Sequence, residues 1–523
     1  MTETRFDGGS RFSVLRALED NASRVSEQPF VDSQGQRLTY GELGDAISAF
    51  ANVLRAAGVR RGEHVMILMA NSPEYLIAEF GIMKAACVYV TCSTLIQNEE
   101  VEYQIDHSDT VAVVTDQPDR VAAIVAAMDR DVSVISAVRD GETIGSGIGS
   151  LGGATTWAEP HADNDDLAML IYTSGTTARP KGVMYTHGQL YVAAQRFMHA
   201  LQYAEGERIL HYFPMYHGNG GVALLMPIIL VRGTIVLKEK FSASRFSEML
   251  AEDDITFVGL NASHAKMILA QPPTEHDRAH RVRRAQFALQ MDFERRQEFE
   301  RRFGIALLEI YGLTECLGIA TASPPFALRT MGSAGTPLPG LELRIVDADG
   351  VDVPRGSPGE VLLRSLTRRG LSSGYYRDDA ATAELMRNGW MHTGDVGFLD
   401  DDCCFTFLER SKDMIKRSGF NVAAAEVERV LLDHDSIEET AVVSIPDPFR
   451  EESIVAYVVS AGGADIDLAT LRDHCAARLA AYKVPEHIVR IEQIPTDVLG
   501  KVDKKALRRR ALDDVEQPPA VSS

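Results

Sequence analysis

The stretch HVMILMANSPEYLIAEFGIMKAACVYVT, residues 64–91, decides the fold class of this chain. It starts with an apolar run of strand length, continues with a helical pattern over residues 72–86 and ends in the strand-like segment 87–91. The segment before it, residues 39–58, has apolar residues on one helical face and a plausible helix stop at Gly58. Strands that alternate with helices in this way predict a layered α/β fold with parallel strands.

The rest of the chain indicates further strands and two further regions. Short apolar runs of strand length occur at residues 110–115, 168–173, 234–237 and 255–260. From about residue 330, Gly and Pro punctuate short strands, which indicates a β-rich subdomain, and a last unit that mixes helices with strands begins near Asp413. We therefore expect an α/β N-terminal domain over residues 1–411, with the β-rich subdomain at 330–411, and a small α+β C-terminal domain over 412–523.

Composition excludes several classes of function. A chain of 523 residues is too long for one compact core, and its formal charge of −21 argues against broad binding to nucleic acid or to an anionic membrane. The most apolar run, residues 221–231, is about half as long as a membrane span, and the N-terminus lacks the apolar core of a signal peptide. The cysteines show neither metal-site spacing nor a disulfide pattern, which favours a reducing cytoplasm.

Residues 172–187, YTSGTTARPKGVMYTH, combine hydroxyl side chains, a glycine and a lysine beside an apolar run. Backbone N–H groups and hydroxyls in such a segment can surround an anion. The candidate anion-binding residues are Thr173, Ser174, Gly175, Thr176, Thr177 and Lys181. A Walker loop would need a glycine where Pro180 stands and a hydroxyl where Gly182 stands, so P-loop chemistry is disfavoured. The alternative is an ordinary surface loop.

The string YTSGTTARPKG resembles the phosphate-binding signature of the adenylate-forming superfamily, which contains acyl-CoA synthetases, carrier-loading adenylation domains and beetle luciferases. Further segments resemble the motifs of this superfamily in the same order: FPMYHGNGG (213–221), YGLTE (311–315), the region 374–395, the region 409–428 and the region 494–507. The resemblance spans roughly residues 28–510 and is strongest to the branch of carnitine/crotonobetaine-CoA ligases. It implies an AMP-forming acyl-CoA synthetase.

The resemblance implies two reaction steps. A small-molecule carboxylate first attacks the α-phosphate of ATP and expels pyrophosphate, and the thiol of coenzyme A then attacks the acyl adenylate and expels AMP. Negative charge gathers on the phosphate oxygens in the first step, so fixed cations and N–H donors are the main catalytic need. ATP, Mg²⁺ and coenzyme A are the implied cofactors, and a homodimer is a further implication of the family.

The resemblance also implies roles for residues of two motifs. Lys501 would reach both the α-phosphate and the substrate carboxylate, although a lysine is most often a solvated surface charge. Glu315 would hold Mg²⁺, a hard cation that prefers oxygen ligands, although it would otherwise be read as a carboxylate at a helix start. In the same motif, Thr314 would contact phosphate, Tyr311 would lie near the adenine, and Gly312 would complete the nucleotide site.

Five further residues receive roles in the same way. Asp395 would accept hydrogen bonds from both ribose hydroxyls and Arg410 would support the same sugar, while an ordinary turn aspartate is the alternative. His217 would lie at the edge of the acyl pocket or be structural. Lys412 would be the hinge about which a mobile C-terminal domain rotates between the two steps. Gly419 would line the pantetheine channel or simply form a turn.

The chain departs from the pattern of the superfamily at two single residues and in one four-residue segment. Ala178 stands where a small Gly or Ser is usual, and Glu409 stands where Asp is usual. The segment Phe287, Ala288, Leu289 and Gln290 replaces a Gly-Gly-Ala-Pro stretch, so a bulkier wall is expected beside the adenine. These departures keep open the alternative of an enzyme that performs only thiolation of a preformed adenylate. Two further alternatives are an enzyme that loads a carrier protein and a non-catalytic protein that binds adenylates. Luciferase-type oxygenation is less favoured because no segment indicates O₂ chemistry.

Overall fold

The structure is a computed structural model that describes residues 12–33, 36–137, 156–173, 179–288, 291, 293–325, 332–410, 415–417, 420–422, 424–447, 451–463, 467–479, 481–496 and 501–516. The chain forms two compact units. The large unit comprises Met1–Leu343, Leu363–His392 and Cys403–Phe405, and the small unit comprises Arg344–Leu362, Thr393–Asp402 and Thr406–Ser523.

Two sheets with mainly parallel strands form the framework of the large unit. The strands of the first sheet are β1 (Pro29–Ser33), β2 (Gln36–Thr39), β9 (Arg208–His211), β10 (Thr234–Leu237), β11 (Phe257–Asn261), β12 (Arg284–Ala288), β13 (Ala306–Tyr311), β14 (Thr321–Ala322) and β15 (Thr336–Pro337). Their order across the sheet is β15-β14-β13-β12-β11-β9-β10-β1-β2. The second is ordered β6-β5-β3-β4-β7-β8, with β3 (His64–Leu68), β4 (Val88–Thr91), β5 (Thr110–Thr115), β6 (Ser133–Ser136), β7 (Leu167–Thr173) and β8 (Lys181–Thr186). The predicted α/β fold class with parallel strands is confirmed.

The helices of this unit lie between the strands, as the alternation in the sequence indicates. Their bounds are Val14–Arg24, Tyr40–Ala56, Pro73–Lys84, Asn98–His107, Pro118–Ala126, His187–Ala200, Leu225–Leu230, Phe246–Glu252, Ala262–Leu269, Phe293–Phe303 and Asp379–Leu385. The helix that starts at Tyr40 begins with a capping box, in which Thr39 and Glu42 each accept a backbone N–H at the helix start. The helix that starts at Pro73 has a proline in its first turn, where a missing N–H costs no hydrogen bond.

Close packing of two helices explains one glycine inside a helix. A Cβ atom at Gly81 would lie 2.7 Å from Cδ1 of Phe50, which is fully buried. The helix Pro73–Lys84 can therefore approach the helix Tyr40–Ala56 only because residue 81 has no side chain. Gly58, the predicted stop of the latter helix, has a φ of +84°, a conformation that favours glycine.

A five-stranded sheet follows in the region predicted to be β-rich. Its strands are β16 (Leu341–Val346), β17 (Gly359–Ser365), β18 (Met386–Arg387), β19 (Trp390–Leu399) and β20 (Phe405–Arg410), in the order β16-β17-β19-β18 with β20 paired to β19. Strands of this length joined by short loops match the Gly- and Pro-punctuated sequence of this region.

The C-terminal part of the small unit has a sheet covered on both faces. Its strands are β21 (Ile415–Arg417), β22 (Phe420–Val422), β23 (Ile437–Asp447), β24 (Glu451–Ser460) and β25 (His487–Arg490), and its helices are Ala424–Leu432, Leu468–Ala476 and Lys504–Glu516. Side chains alternate between faces along a strand. Val442 therefore packs with the first two helices through Val427 and Leu471, while its neighbour Val443 packs with Leu507 of the last helix.

Two further observations concern compartment and membrane. No helix within the described ranges is long and apolar enough to cross a bilayer, and the apolar run 221–231 contains the short helix Leu225–Leu230. All six cysteines lie in the described part of the chain as free thiols, and four of them are buried.

Candidate functional site

The two ends of the predicted phosphate loop are held by neighbouring strands of the large unit. Strands β7 and β8 are antiparallel, and their pairing places Thr173 directly opposite Lys181. The Thr173 hydroxyl donates a hydrogen bond to the Lys181 carbonyl at 3.5 Å. The sheet thus fixes where the loop leaves and returns. Ser174, Gly175, Thr176, Thr177 and Ala178 lie outside the described residues.

Lys181 carries a charge that is only weakly paired. Its Nζ atom lies 3.7 Å from Oδ2 of Asp378 and 4.9 Å above the ring centre of Tyr375. About a third of each charged side chain is exposed, and ion pairs at this exposure contribute little to stability. An anionic ligand can therefore draw the ammonium group away from Asp378 with little loss of stability.

The YGLTE motif forms a tight turn at the end of a strand. Tyr311 is the last residue of β13, and residues Thr314–Cys316 form one 3₁₀ turn. A Cβ atom at Gly312 would lie 2.5 Å from the carbonyl oxygen of Gly318, so only glycine fits there. The Tyr185 hydroxyl donates to the Thr314 carbonyl and holds the turn from β8.

Glu315 has a partner that sequence reasoning missed. Its Oε1 atom accepts a hydrogen bond of 2.7 Å from the hydroxyl of Tyr375, and its backbone carbonyl accepts one of 2.9 Å from the N–H of Ser372. No described residue donates to its second oxygen, Oε2. Tyr375 lies 60 positions further along the chain, and no local pattern in the sequence connects it with Glu315.

The carboxylate of Glu315 fits the predicted type of metal site. Among the described residues, no three His, Cys, Asp or Glu side chains come together in a way that could hold a metal ion. Mg²⁺ does not need such a cluster, because it keeps several waters and is bound through one or two carboxylates together with substrate phosphates. Glu315 beside the ends of the loop is suited to that arrangement.

The predicted adenine wall begins at the carboxyl ends of parallel strands, where ligands of open α/β sheets bind. Ala288 is the last residue of β12, which lies between β11 and β13. Tyr311 ends the neighbouring strand and packs its ring 4.6 Å from that of Phe405. Leu289 and Gln290 lie outside the described residues. Phe287 is fully buried in the core, so its bulky ring does not crowd a site on the surface.

His217 makes a structural contact, and a structural role was one of the two alternatives for this residue. It is the N-cap of the π-helical turn Gly218–Leu224, and its Nδ1 accepts the N–H of Asn219 at 3.2 Å. A Cβ atom at Gly220 would lie 2.2 Å from the Pro214 carbonyl, which explains the glycine in this segment. The role of His217 at an acyl pocket stays a prediction.

In the small unit, the two predicted ribose-binding residues form one ion pair. The buried Asp395 on β19 has its Oδ1 atom 2.7 Å from Nε of Arg410 on β20. The hydroxyl of Thr393 accepts the N–H of Asp395 at 3.1 Å, and its carbonyl accepts from Arg410 at 3.3 Å. Asp395 is therefore an oriented acceptor and not a mobile turn residue.

The remaining predicted residues of the small unit are only partly described. Glu409 is buried and accepts the N–H of Ala424 at 2.9 Å, at the first residue of a helix, where a negative charge is favourable. This contact gives the departure from Asp a physical reason. Lys501 is exposed and lies beside the bridge between Thr496 and Val502. Lys412 and Gly419 lie outside the described residues.

Two family models match the chain in sequence order. The model of the AMP-binding enzyme matches residues 18–376, and the model of the AMP-binding enzyme C-terminal domain matches residues 426–501. These two matches, which together cover most of the chain, define the class of protein as that of the adenylate-forming ligases. The chain belongs to the AMP-binding enzyme family.

Curated relatives and solved structures agree with this class. A crotonobetaine/carnitine–CoA ligase from Proteus mirabilis is 30% identical over 515 residues, which are 94% of this chain and 98% of the relative. ATP-bound MatB from Rhodopseudomonas palustris is 26% identical and superposes with a TM-score of 0.88 over 97% of this chain and 99% of that protein. The o-succinylbenzoate CoA synthetase MenE from Bacillus subtilis, in complex with its acyl-adenylate intermediate, is 26% identical, with a TM-score of 0.81 over 94% of this chain and 98% of that protein.

These similarities confirm the predicted family, its branch and the predicted reaction class. The chain is an AMP-forming acyl-CoA ligase that binds ATP or AMP, and its fold has the large N-terminal and smaller C-terminal domains of such enzymes.

Proposed function

We propose that this enzyme activates a small carboxylic acid with Mg²⁺-ATP and transfers the acyl group to free coenzyme A. The observation that carries this proposal is the grouping of Lys181, Glu315 and Tyr375 at the ends of the phosphate loop. A cation and a metal-binding carboxylate beside the triphosphate serve only the adenylation step. Their presence favours a complete ligase over an enzyme that performs thiolation alone.

In the large unit, the hydroxyls and N–H groups of residues 173–177 would hold the phosphates, with Lys181 as the neighbouring cation. Glu315 would hold Mg²⁺, and Thr314 would contact phosphate. When bound, the metal would neutralise charge on the phosphate oxygens as pyrophosphate leaves. Ala288, Leu289, Gln290 and Tyr311 would enclose the adenine, with Gly312 forming the turn beneath it, and His217 would lie at the edge of the acyl pocket.

In the small unit, Asp395 would accept hydrogen bonds from both ribose hydroxyls. An ionised carboxylate suits this task because it has two acceptor oxygens and no donor. The guanidinium of Arg410, which lies at 2.7 Å, pairs with the carboxylate and holds it in one orientation. Ribose binding would then depend on both residues of the pair.

The C-terminal domain, residues 412–523, would deliver Lys501 to the α-phosphate and the substrate carboxylate in the first step. Rotation about Lys412 would then withdraw it and open the path for the thiol, with Gly419 lining the pantetheine channel. The N-terminal domain would comprise residues 1–411. A cytoplasmic location and a homodimer stay predictions of the sequence analysis.

The substrate is sought with a panel of carboxylic acids scored for AMP and thioester together. Crotonobetaine and carnitine belong in the panel because the relative from Proteus mirabilis is named for them. Pyrophosphate exchange into ATP that depends on the acid is expected for the complete ligase. Its absence, with thioester still formed from a synthetic acyl adenylate and CoA, would identify an enzyme of thiolation alone, and turnover only with a phosphopantetheinyl protein would identify carrier loading. Absence of thioester in every arm would leave a non-catalytic adenylate-binding protein.

A variant tests the assignment of the central cation. Lys501→Ala is expected to abolish acid-dependent pyrophosphate exchange and to retain thioester formation from added adenylate, because the lysine acts on the phosphate only in the first step. Equal loss of both activities would contradict this role.

A further inference from the structure

Tyr375 contacts both charged residues of the candidate phosphate site in the large unit. Its hydroxyl donates to Oε1 of Glu315 at 2.7 Å, and its ring lies under the Lys181 ammonium at 4.9 Å from the ring centre. A hydrogen bond to one carboxylate oxygen restricts the rotation of that carboxylate, and an aromatic face attracts a cation. One side chain therefore restrains both Glu315, the proposed Mg²⁺ ligand, and Lys181, the proposed phosphate-binding cation.

Tyr375 is itself held in place by its backbone. It forms a β-bridge with Val183 of β8, and the N–H of the next residue, Tyr376, donates to the carbonyl of Gly182 at 2.8 Å. The N–H of Tyr375 donates to the hydroxyl of Thr382 at 2.9 Å. The segment that carries the ring is therefore paired side by side with the strand that begins with Lys181, so the backbones that carry the ring and the lysine keep a fixed separation.

We propose that Tyr375 is a positioning residue of the adenylation step, whose hydroxyl turns Glu315 toward Mg²⁺ and whose ring supports Lys181 at the phosphates. This inference rests on the proposed function of these two residues. The hydroxyl and the ring act on different ligands. Removal of the hydroxyl alone reduces the gain in nucleotide affinity that Mg²⁺ provides. Removal of the ring also lowers the nucleotide affinity measured without Mg²⁺.

The experiment measures the affinity of the full-length chain for α,β-methylene-ATP by calorimetry, once with excess Mg²⁺ and once with EDTA. In the wild type, Mg²⁺ is expected to increase the affinity. Tyr375→Phe is expected to reduce this increase by roughly tenfold, the size of one hydrogen bond to a charged group, and to leave the affinity in EDTA unchanged. Tyr375→Leu is expected to lower the affinity in EDTA as well, by roughly threefold.

Two controls separate this inference from the proposed function. Tyr376→Phe removes the neighbouring hydroxyl, which donates to Asp109 at 2.8 Å, and is expected to leave both affinities unchanged. Glu315→Gln is expected to reduce the Mg²⁺ effect at least as much as Tyr375→Phe does. An unchanged Mg²⁺ effect in Tyr375→Phe, together with a reduced one in Glu315→Gln, overturns the inference alone. An unchanged Mg²⁺ effect in Glu315→Gln overturns the metal assignment and this inference with it.

Discussion

Two buried histidines make the stability of the large unit depend on pH. Burial lowers the pKa of His187 and of His211 from the ordinary 6.5 to about 4, because the charged ring would lose its hydration. His187 is also the first residue of the helix that ends at Ala200, where a positive charge opposes the helix dipole. The Nε2 atom of His211 lies 3.1 Å from the carbonyl of Gly220, in the segment that contains His217.

The sign of the effect follows from proton uptake. Between about pH 6.5 and pH 4 the unfolded chain binds protons at these two rings that the folded chain does not bind, so the free energy of unfolding falls as the pH falls. With the two pKa values above, each histidine accounts for a loss of about 2 kcal/mol between pH 7 and pH 5, and the pair for about 4 kcal/mol.

Urea unfolding of the full chain at pH 7 and pH 5, followed by circular dichroism, measures this loss. Carboxylates also titrate in this range, so the informative quantity is the difference between variants. His211→Gln is expected to reduce the pH-dependent loss by about 2 kcal/mol. The matched control is His199→Gln, at an exposed position, which is expected to retain the wild-type loss. The reasoning is refuted if His211→Gln loses as much stability on acidification as the wild type.

Three further variants test separate parts of the structure. Gly312→Ala places a Cβ atom 2.5 Å from the carbonyl of Gly318, so it is expected to shift the turn and to lower acid-dependent pyrophosphate exchange at least tenfold, while thioester formation from added adenylate changes less. Arg410→Ala removes the guanidinium beside the buried carboxylate of Asp395. This variant is expected to raise the KM for ATP and to destabilise the fold by about 1–2 kcal/mol in urea unfolding, less than loss of a fully buried pair because the arginine is partly exposed. Thr39→Ala removes a helix cap and is expected to cost about 1 kcal/mol of stability with unchanged kcat, and a lowered kcat would contradict its purely structural role.

Local sequence patterns were sufficient to predict most of the helices and strands. The segments predicted as strands at 110–115 and 234–237 match β5 and β10, and the helix expected over 39–58 runs from Tyr40 to Ala56. These elements depend on periodicity, caps and glycine stops, all of which act over a few residues. The motifs also indicated the candidate site residues, because each motif is a short segment whose order along the chain can be read directly.

Contacts between distant segments needed the tertiary structure. The bond from Tyr375 to Glu315 joins residues far apart in sequence, and Glu409 meets Ala424 only because a strand ends against the start of a helix. The burial of Phe287 depends on which face of β12 is turned to the core. The sequence by itself determined the elements and the chemical groups available, since these follow from local interactions. Only the tertiary structure decided which groups meet, because the register and order of strands are set by packing over the whole unit.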